Sequence, residues 1–295
     1  MAQDTAVLTY DAVGNLEDLS DVITNISPLE TPMFSNFGRS SASAKLHEWL
    51  TDSLATATSN AKIEGAAYTF AKAAARTRLT NDVQTLETSV EVSDLQRKVA
   101  TAGLDDEFAY QMAKKMKEHA RDIEYAIVNG TGNSGASGTA RELKGVIAWI
   151  STNNTTGTGT GNEALTEDMF NDTLENIWNQ GGKPDTCYAN GGQKRAISAF
   201  TAGATKFVQA SGNELNAAYD IYESDFGRIK IVADRFMPST TIAMLQSDLW
   251  KVAVLDATHK VDVAKVGSST KAVITTSLTI EALNEAGSGK VTQLS

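Results

Sequence analysis

The run Gly130-Thr131-Gly132-Asn133-Ser134-Gly135 has the G-x-G-x-x-G spacing that lets a backbone turn close over the pyrophosphate of a dinucleotide. That chemistry needs a strand before the run and a helix opening after it, so that the helix N-terminus faces the phosphates. Here the run follows the longest helical pattern in the chain and no helical pattern opens behind it, so no cofactor is assigned. Gly157-Thr158-Gly159-Thr160-Gly161 reads as a flexible loop. Gly287-Ser288-Gly289-Lys290 lacks the upstream glycine of a phosphate-binding loop and the Ser or Thr after its lysine, and is expected to form a turn.

Metal and nucleophile chemistry fare no better. His47, His119 and His259 are far apart, and none has a His or Cys at ligand spacing. His119 is expected on the polar, exposed side of a helix. Cys187 is the single cysteine; in Thr186-Cys187-Tyr188 it reads as a small inert hydrophobe on a buried strand. There is no G-x-S-x-G nucleophile elbow. No catalytic, cofactor or metal residue is therefore assigned, and an enzyme is not expected.

Composition narrows the classes further. Hydrophobic content of 41% with 21% charged residues is ordinary for a folded chain. No stretch approaches the roughly 20 apolar residues of a membrane span, and Met1–Tyr10 has neither the basic nor the apolar region of a secretory signal. Thirty-six acids against 26 bases give a net charge of −10, unlike a sequence-reading nucleic-acid binder, though compatible with a protein that encloses nucleic acid without gripping it.

The elements that remain are unusual in their arrangement. Leu104, Phe108, Met112, Met116, Ala120, Ile123 and Ile127 step by three or four, predicting a helix over 105–128. Asp105, Asp106 and Glu107 suit its N-terminal dipole, and Gly130 is placed for a left-handed cap. At about 1.5 Å per residue such a helix runs roughly 36 Å. Lys114, Lys115, Lys117 and Arg121 look outward from it as a solvated face.

Before the helix, a ribbon goes out through Leu46–Leu54, turns through Ala55–Ala67 and returns through Tyr68–Leu79, with no uniformly apolar face of its own. A compact monomer has little use for such an excursion; a subunit that lays it on a neighbour does. Earlier still, Leu16–Ile26 has helical spacing, and Pro28 and Pro32 are expected to force an extended path, with Met33, Phe34 and Phe37 anchoring this arm. After the helix come a strand or turn at Leu143–Ile150, a helix over Leu165–Gln180 with Trp178 inward, a strand at Asp185–Ala189 and a helix at Gly192–Phe200. Asp225–Ala233 and Thr241–Leu245 read as paired strands, Lys251–Leu255 as a short one. Ala272, Ile274, Thr276, Leu278 and Ile280 alternate as a half-buried strand that could return to the long helix.

In this order, Asn25-Ile26-Ser27-Pro28-Leu29-Glu30-Thr31-Pro32-Met33-Phe34, Trp49, the helix ending at Asn129-Gly130, Leu143-Lys144-Gly145 and Asp234-Arg235-Phe236-Met237-Pro238 resemble the major head proteins of tailed bacteriophages with the Hong Kong 97-like shell fold. The resemblance implies an α+β subunit with an N-terminal arm (1–38), an extended loop (39–75), a peripheral domain with the spine helix (76–139), an axial domain (140–261) and a return strand (262–295). It implies self-assembly into an icosahedral shell of pentamers and hexamers around double-stranded DNA, in the virion after assembly in the host cytoplasm. A portal and a separate scaffolding protein are the expected partners, and no membrane. Trp49, Lys62, Ile63, Tyr68 and Phe70 on the loop, with Met33 and Phe34 on the arm, are the expected assembly contacts. Covalent Lys–Asn links between subunits, known among relatives, are not assigned. The readings left standing beside it are an encapsulin-like compartment protein, a virion decoration protein and a dinucleotide-binding enzyme.

Overall fold

The computed structural model describes residues 31–52, 54–65, 67–68, 70, 75–99, 106–157, 162–200 and 221–295. The arm before residue 31, including the helical spacing of Leu16–Ile26, lies outside them. In chain order the elements begin with α1 (Pro32–Asn36), β1 (Gly38–Ser41), β2 (Leu46–Thr51), β3 (Thr77–Asp82), β4 (Gln84–Ser93), α2 (Glu107–Asn129), β5 (Thr131–Asn133) and β6 (Glu142–Lys144). They continue with α3 (Val146–Trp149), β7 (Asn154–Thr156), α4 (Glu167–Asn179), β8 (Thr186–Ala189) and α5 (Gly191–Ala199). The last are β9 (Ile221–Ser224), β10 (Gly227–Ala233), β11 (Ile242–Leu245), β12 (Trp250–Val263), β13 (Ser269–Ala282) and β14 (Gly289–Thr292).

The strands fall mainly into two sheets, ordered β1-β12-β13-β4 and β7-β14-β11-β8-β10-β9. In the first, β13 pairs antiparallel with both β12 and β4, and its alternation is why: Ala272, Ile274, Leu278 and Ile280 are all buried, with Thr276 on the same face. Against this sheet lies α2. Asp106 caps it by accepting from Phe108 N at 3.0 Å. Burial concentrates in its C-terminal half, at Ile123, Ala126, Ile127 and Val128, whereas Met116 is exposed.

In the second sheet, Cys187, Ala189, Ile242 and Met244 point to α4 and α5, where Phe170, Leu174, Ile177 and Ile197 receive them. Tyr188, Ala243 and Leu245 point the other way, into a core shared with α2, Trp250 and Ile280. This alternation joins the two sheets through one continuous core. Cys187 is fully buried, and burial pushes its thiol up to about 12.

Several expectations are corrected. Pro32 opens a helix rather than extending the chain, since a proline at the first helical position gives up an N–H that had no partner. Gly130 has φ −51° and is not left-handed; a Cβ there would meet the Leu143 carbonyl at 2.3 Å, so close approach is what demands glycine. Gly130–Gly135 enters the β5–β6 hairpin instead of opening a helix. Gly289-Lys290 is strand, not turn: β14 passes so close to α4 that a Cβ on Gly289 would lie 2.9 Å from Ile177.

His119 is buried, not exposed, because Thr88 and Thr276 on the sheet offer it hydrogen bonds at 3.0 and 2.8 Å. Trp178 is 57% exposed and rests on the Phe226 ring, at 6.0 Å between centroids. β10 and β11 are not partners, because β8 lies between them, parallel to β10 and antiparallel to β11. The expected boundary at 261/262 falls inside β12, which belongs with β13, while β14 joins the second sheet.

Candidate assembly surface

The ribbon leaves the body as the antiparallel pair β2–β3, with Trp49 opposite Leu79. Alternation puts His47, Trp49 and Thr51 toward the body and Glu48 and Leu50 toward solvent. Trp49 Nε1 donates to the Ala282 carbonyl at 3.0 Å, and its ring lies 5.5 Å from that of Trp149. His47 Nε2 meets Glu281 Oε1 at 2.5 Å, and Ser40 Oγ donates to the same oxygen at 2.8 Å. Across the ladder, Asn81 is buried; its amide donates to the Ile280 carbonyl at 2.9 Å, and its Oδ1 accepts from Lys144 N at 2.8 Å. The root of the ribbon is thus bound to β13 and β6 by buried polar contacts, which are costly to break.

Beyond the root, the ion pairs among the described residues are exposed ones. Arg78 with Glu48 and Arg76 with Asp52 form exposed pairs at 3.3 and 3.8 Å, and such pairs contribute little. Ile63, Tyr68 and Phe70 are 86, 92 and 93% exposed, and Leu54 is wholly so. Lys62 is exposed as well. The seven residues expected at the assembly surface therefore divide. Lys62, Ile63, Tyr68 and Phe70 stand in solvent. Trp49 packs on its own chain, Met33 is fully buried in the core, and Phe34 is half-buried with the Arg39 guanidinium 3.7 Å over its ring.

One residue that sequence reasoning missed holds the arm's end. Glu124, on α2, is fully buried and accepts from Met33 N at 2.7 Å and Phe34 N at 2.8 Å, the orphan donors at the start of α1. Burial pushes its carboxyl up to about 7 despite those bonds, with the charge of Asp234 adding to the effect. Its only sequence signal was its place one residue after Ile123, beside the apolar stripe.

No group of three or more His, Cys, Asp or Glu that could hold a metal exists among the described residues. The family model described as SU10 major capsid protein matches residues 4–295. The major capsid protein of Escherichia phage Phieco32 is 25% identical over 350 residues, covering 98% of this chain and 97% of that one. Among solved structures, the Cyanophage A-1(L) capsid superposes with a TM-score of 0.71 at 13% identity over 98% of both chains. The capsid of the native GTA particle does so with a TM-score of 0.72 at 14% identity over 100% of both. The matches span the whole mixed helix-and-sheet subunit rather than one part of it. This chain belongs to the SU10 major capsid protein family: it is a phage major capsid protein, a structural component of the virion.

Proposed function

We propose that the subunit assembles by laying its extended loop on a neighbouring copy, with Lys62, Ile63, Tyr68 and Phe70 as the contact residues and Leu54 beside them. The observation that carries this is the contrast along one ribbon: a root fixed by Trp49, His47 and Asn81, and beyond it large apolar side chains in water. Several large apolar side chains left in water along one short stretch of chain are the kind of surface that a partner covers. Fully burying an Ile, Tyr or Phe stabilises by roughly 1.5–3 kcal/mol each, before the cost of ordering the loop. Repeated around a shell, such modest contacts hold together by multivalency.

The reading carries with it the Hong Kong 97-like division into arm, extended loop, peripheral domain and axial domain, with pentamers and hexamers closing an icosahedral head around double-stranded DNA. Assembly in the host cytoplasm, a portal and a separate scaffolding protein complete it. The net charge of −10 supports enclosure of DNA without a sequence-specific grip. Met33, Phe34 and Trp49 serve in this scheme by fixing the arm and the loop root to their own subunit.

Electron microscopy of the purified protein and of a chain lacking residues 55–67 tests the proposal. The full chain is expected to form shells with a loop draped over each neighbour. The deletion is expected to give folded subunits and no shells, and normal particles from it would remove the loop from the mechanism.

A further inference from the structure

We infer that the free edge of β12 over residues 259–263 joins two copies of this chain. The two strands lie antiparallel about Val261, and Lys260 of each copy faces Asp262 of the other. No residue of the extended loop takes part, so this contact stands or falls apart from the docking of the loop.

β1 covers only the first part of this edge. It pairs with Lys251 to Val254 of β12, and Ala42 N donates to the Val254 carbonyl at 3.0 Å before the chain turns away. Among the described residues no strand continues along β12 to Val263. Residues 255–263 are all exposed. Two irregularities fall between Val254 and His259, and from His259 to Val263 the pairing with β13 is regular. A regular edge with backbone N–H and C=O groups in water is a template for another strand.

The side chains say which strand fits. Lys260 lies opposite Ile274 and Asp262 opposite Ala272, so these two share one face of the sheet. Val261 opposite Val273 and Val263 opposite Lys271 share the other. Within one chain Lys260 Nζ meets Asp262 Oδ1 at 2.6 Å as an exposed pair, with the Phe108 ring 5.5 Å from the ammonium. Residues directly opposite in an antiparallel pair stand on the same face. Pairing about Val261 therefore sets Lys260 against Asp262 twice, once from each copy, with Val261 against itself and His259 against Val263. A lysine on an edge ordinarily repels a second strand; here the symmetric partner brings the carboxylate that receives it. The other ions nearby are engaged: Lys265 with Asp94 at 2.5 Å, Lys271 with Glu91 at 3.0 Å, and His259 Nδ1 with Asp256 at 3.5 Å.

A second copy is the occupant because this arrangement is self-complementary, as a two-fold contact requires. Joining the edges gives one continuous sheet, β4-β13-β12-β12-β13-β4. The opposite edge of the same sheet, β4, is a poorer match for β12. Its exposed Glu87 and Glu91 share the face of Val261 and Val263, since they pair with Thr275 and Lys271 of β13. In a joined sheet with its helices on one side, those acids meet valines and miss Lys260.

Val261→Cys in particles of the full chain tests the register. Opposite Cα atoms in such a pair are about 4.5–5.5 Å apart, within reach of a disulfide, and the native Cys187 is buried. Mild oxidation with copper phenanthroline should turn Val261→Cys subunits into covalent dimers. Val263→Cys, about 13 Å from its own counterpart, should stay monomeric. Before assembly the Val261→Cys thiol should react freely with a maleimide. No dimer in intact particles, an equal yield from Val263→Cys, or dimers that require an added Ser89→Cys on β4 overturns the proposal. A thiol shielded in unassembled subunits also overturns it, by placing another segment of the same chain on the edge. Should Val261→Cys block assembly, charge reversal decides. Lys260→Asp and Asp262→Lys subunits should each give about tenfold fewer particles, because like charges then stand opposite, and an equal mixture should restore assembly. The mixture matches charges between copies but not within one, so a failure to restore overturns the proposal.

Discussion

Trp49 and Ala282 are 233 residues apart and share a 3.0 Å hydrogen bond, from the indole Nε1 to the backbone carbonyl, at the place where the extended loop leaves the body. The bond fixes the loop's direction of departure to the end of β13, so whatever the loop touches is aimed by the core.

Replacing Trp49 separates that aim from the contact itself. Trp49→Phe keeps an aromatic ring against Trp149 and loses one hydrogen bond, and should cost about 1 kcal/mol in denaturant unfolding. Trp49→Ala loses the packing too and should cost about 2–4 kcal/mol.

The exposed residues should behave in the opposite way. Ile63→Ser, Tyr68→Ser and Phe70→Ser together should leave subunit stability within about 0.5 kcal/mol, because these side chains contact little of their own chain. The same triple change should abolish particles in sedimentation. A substantial loss of subunit stability would show that the loop packs on its own body.

Burial lowers the affinity of His119 for protons below that of an ordinary histidine, against the charge of Asp122, which raises it. Its contribution to stability is complete above the ordinary value and is lost as pH falls through the lowered folded value. His119→Asn should flatten that acid limb in urea midpoints measured from pH 8 down to pH 5. The substitution should also cost about 1–3 kcal/mol at pH 8, since Thr88 loses its partner and Thr276 keeps only Thr258.

Two glycines distinguish crowding from handedness. Gly130→Ala drives a methyl into the Leu143 and Ala126 carbonyls, 2.3 and 2.7 Å away, and should cost more than about 2 kcal/mol or prevent folding. Gly65→Ala, at φ +81° with nothing within 4 Å, should cost only about 1 kcal/mol. Thermal unfolding of the two variants compares them directly.

Much of the fold was legible because its signals are local. The 272–280 alternation needs only one covered face, and the spine helix only a stripe and an acidic cap. What escaped was set by distant partners. Glu124 sits in the sequence like any helix-surface acid, and its role depends on two backbone donors some 90 residues earlier. His119 was misjudged because its partners are hydroxyls on another element. Trp178 has helical spacing with Ile177 and Leu174, but those two fill the face against the second sheet and leave the indole outside. The exposed loop residues were expected from a ribbon lacking a core of its own, and Met33 and Phe37 are buried as the anchors of the arm that their spacing suggested, whereas the packing of Trp49 depends on the body it meets.

β14 enters the second sheet between β7 and β11, although it follows them by more than 130 and 40 residues respectively. During synthesis that sheet keeps a gap until residues 289–292 have left the ribosome, and until then two strand edges lack a partner. A nascent chain therefore cannot complete its core ahead of schedule. Subunits interrupted before that point leave the facing edges of β7 and β11 open.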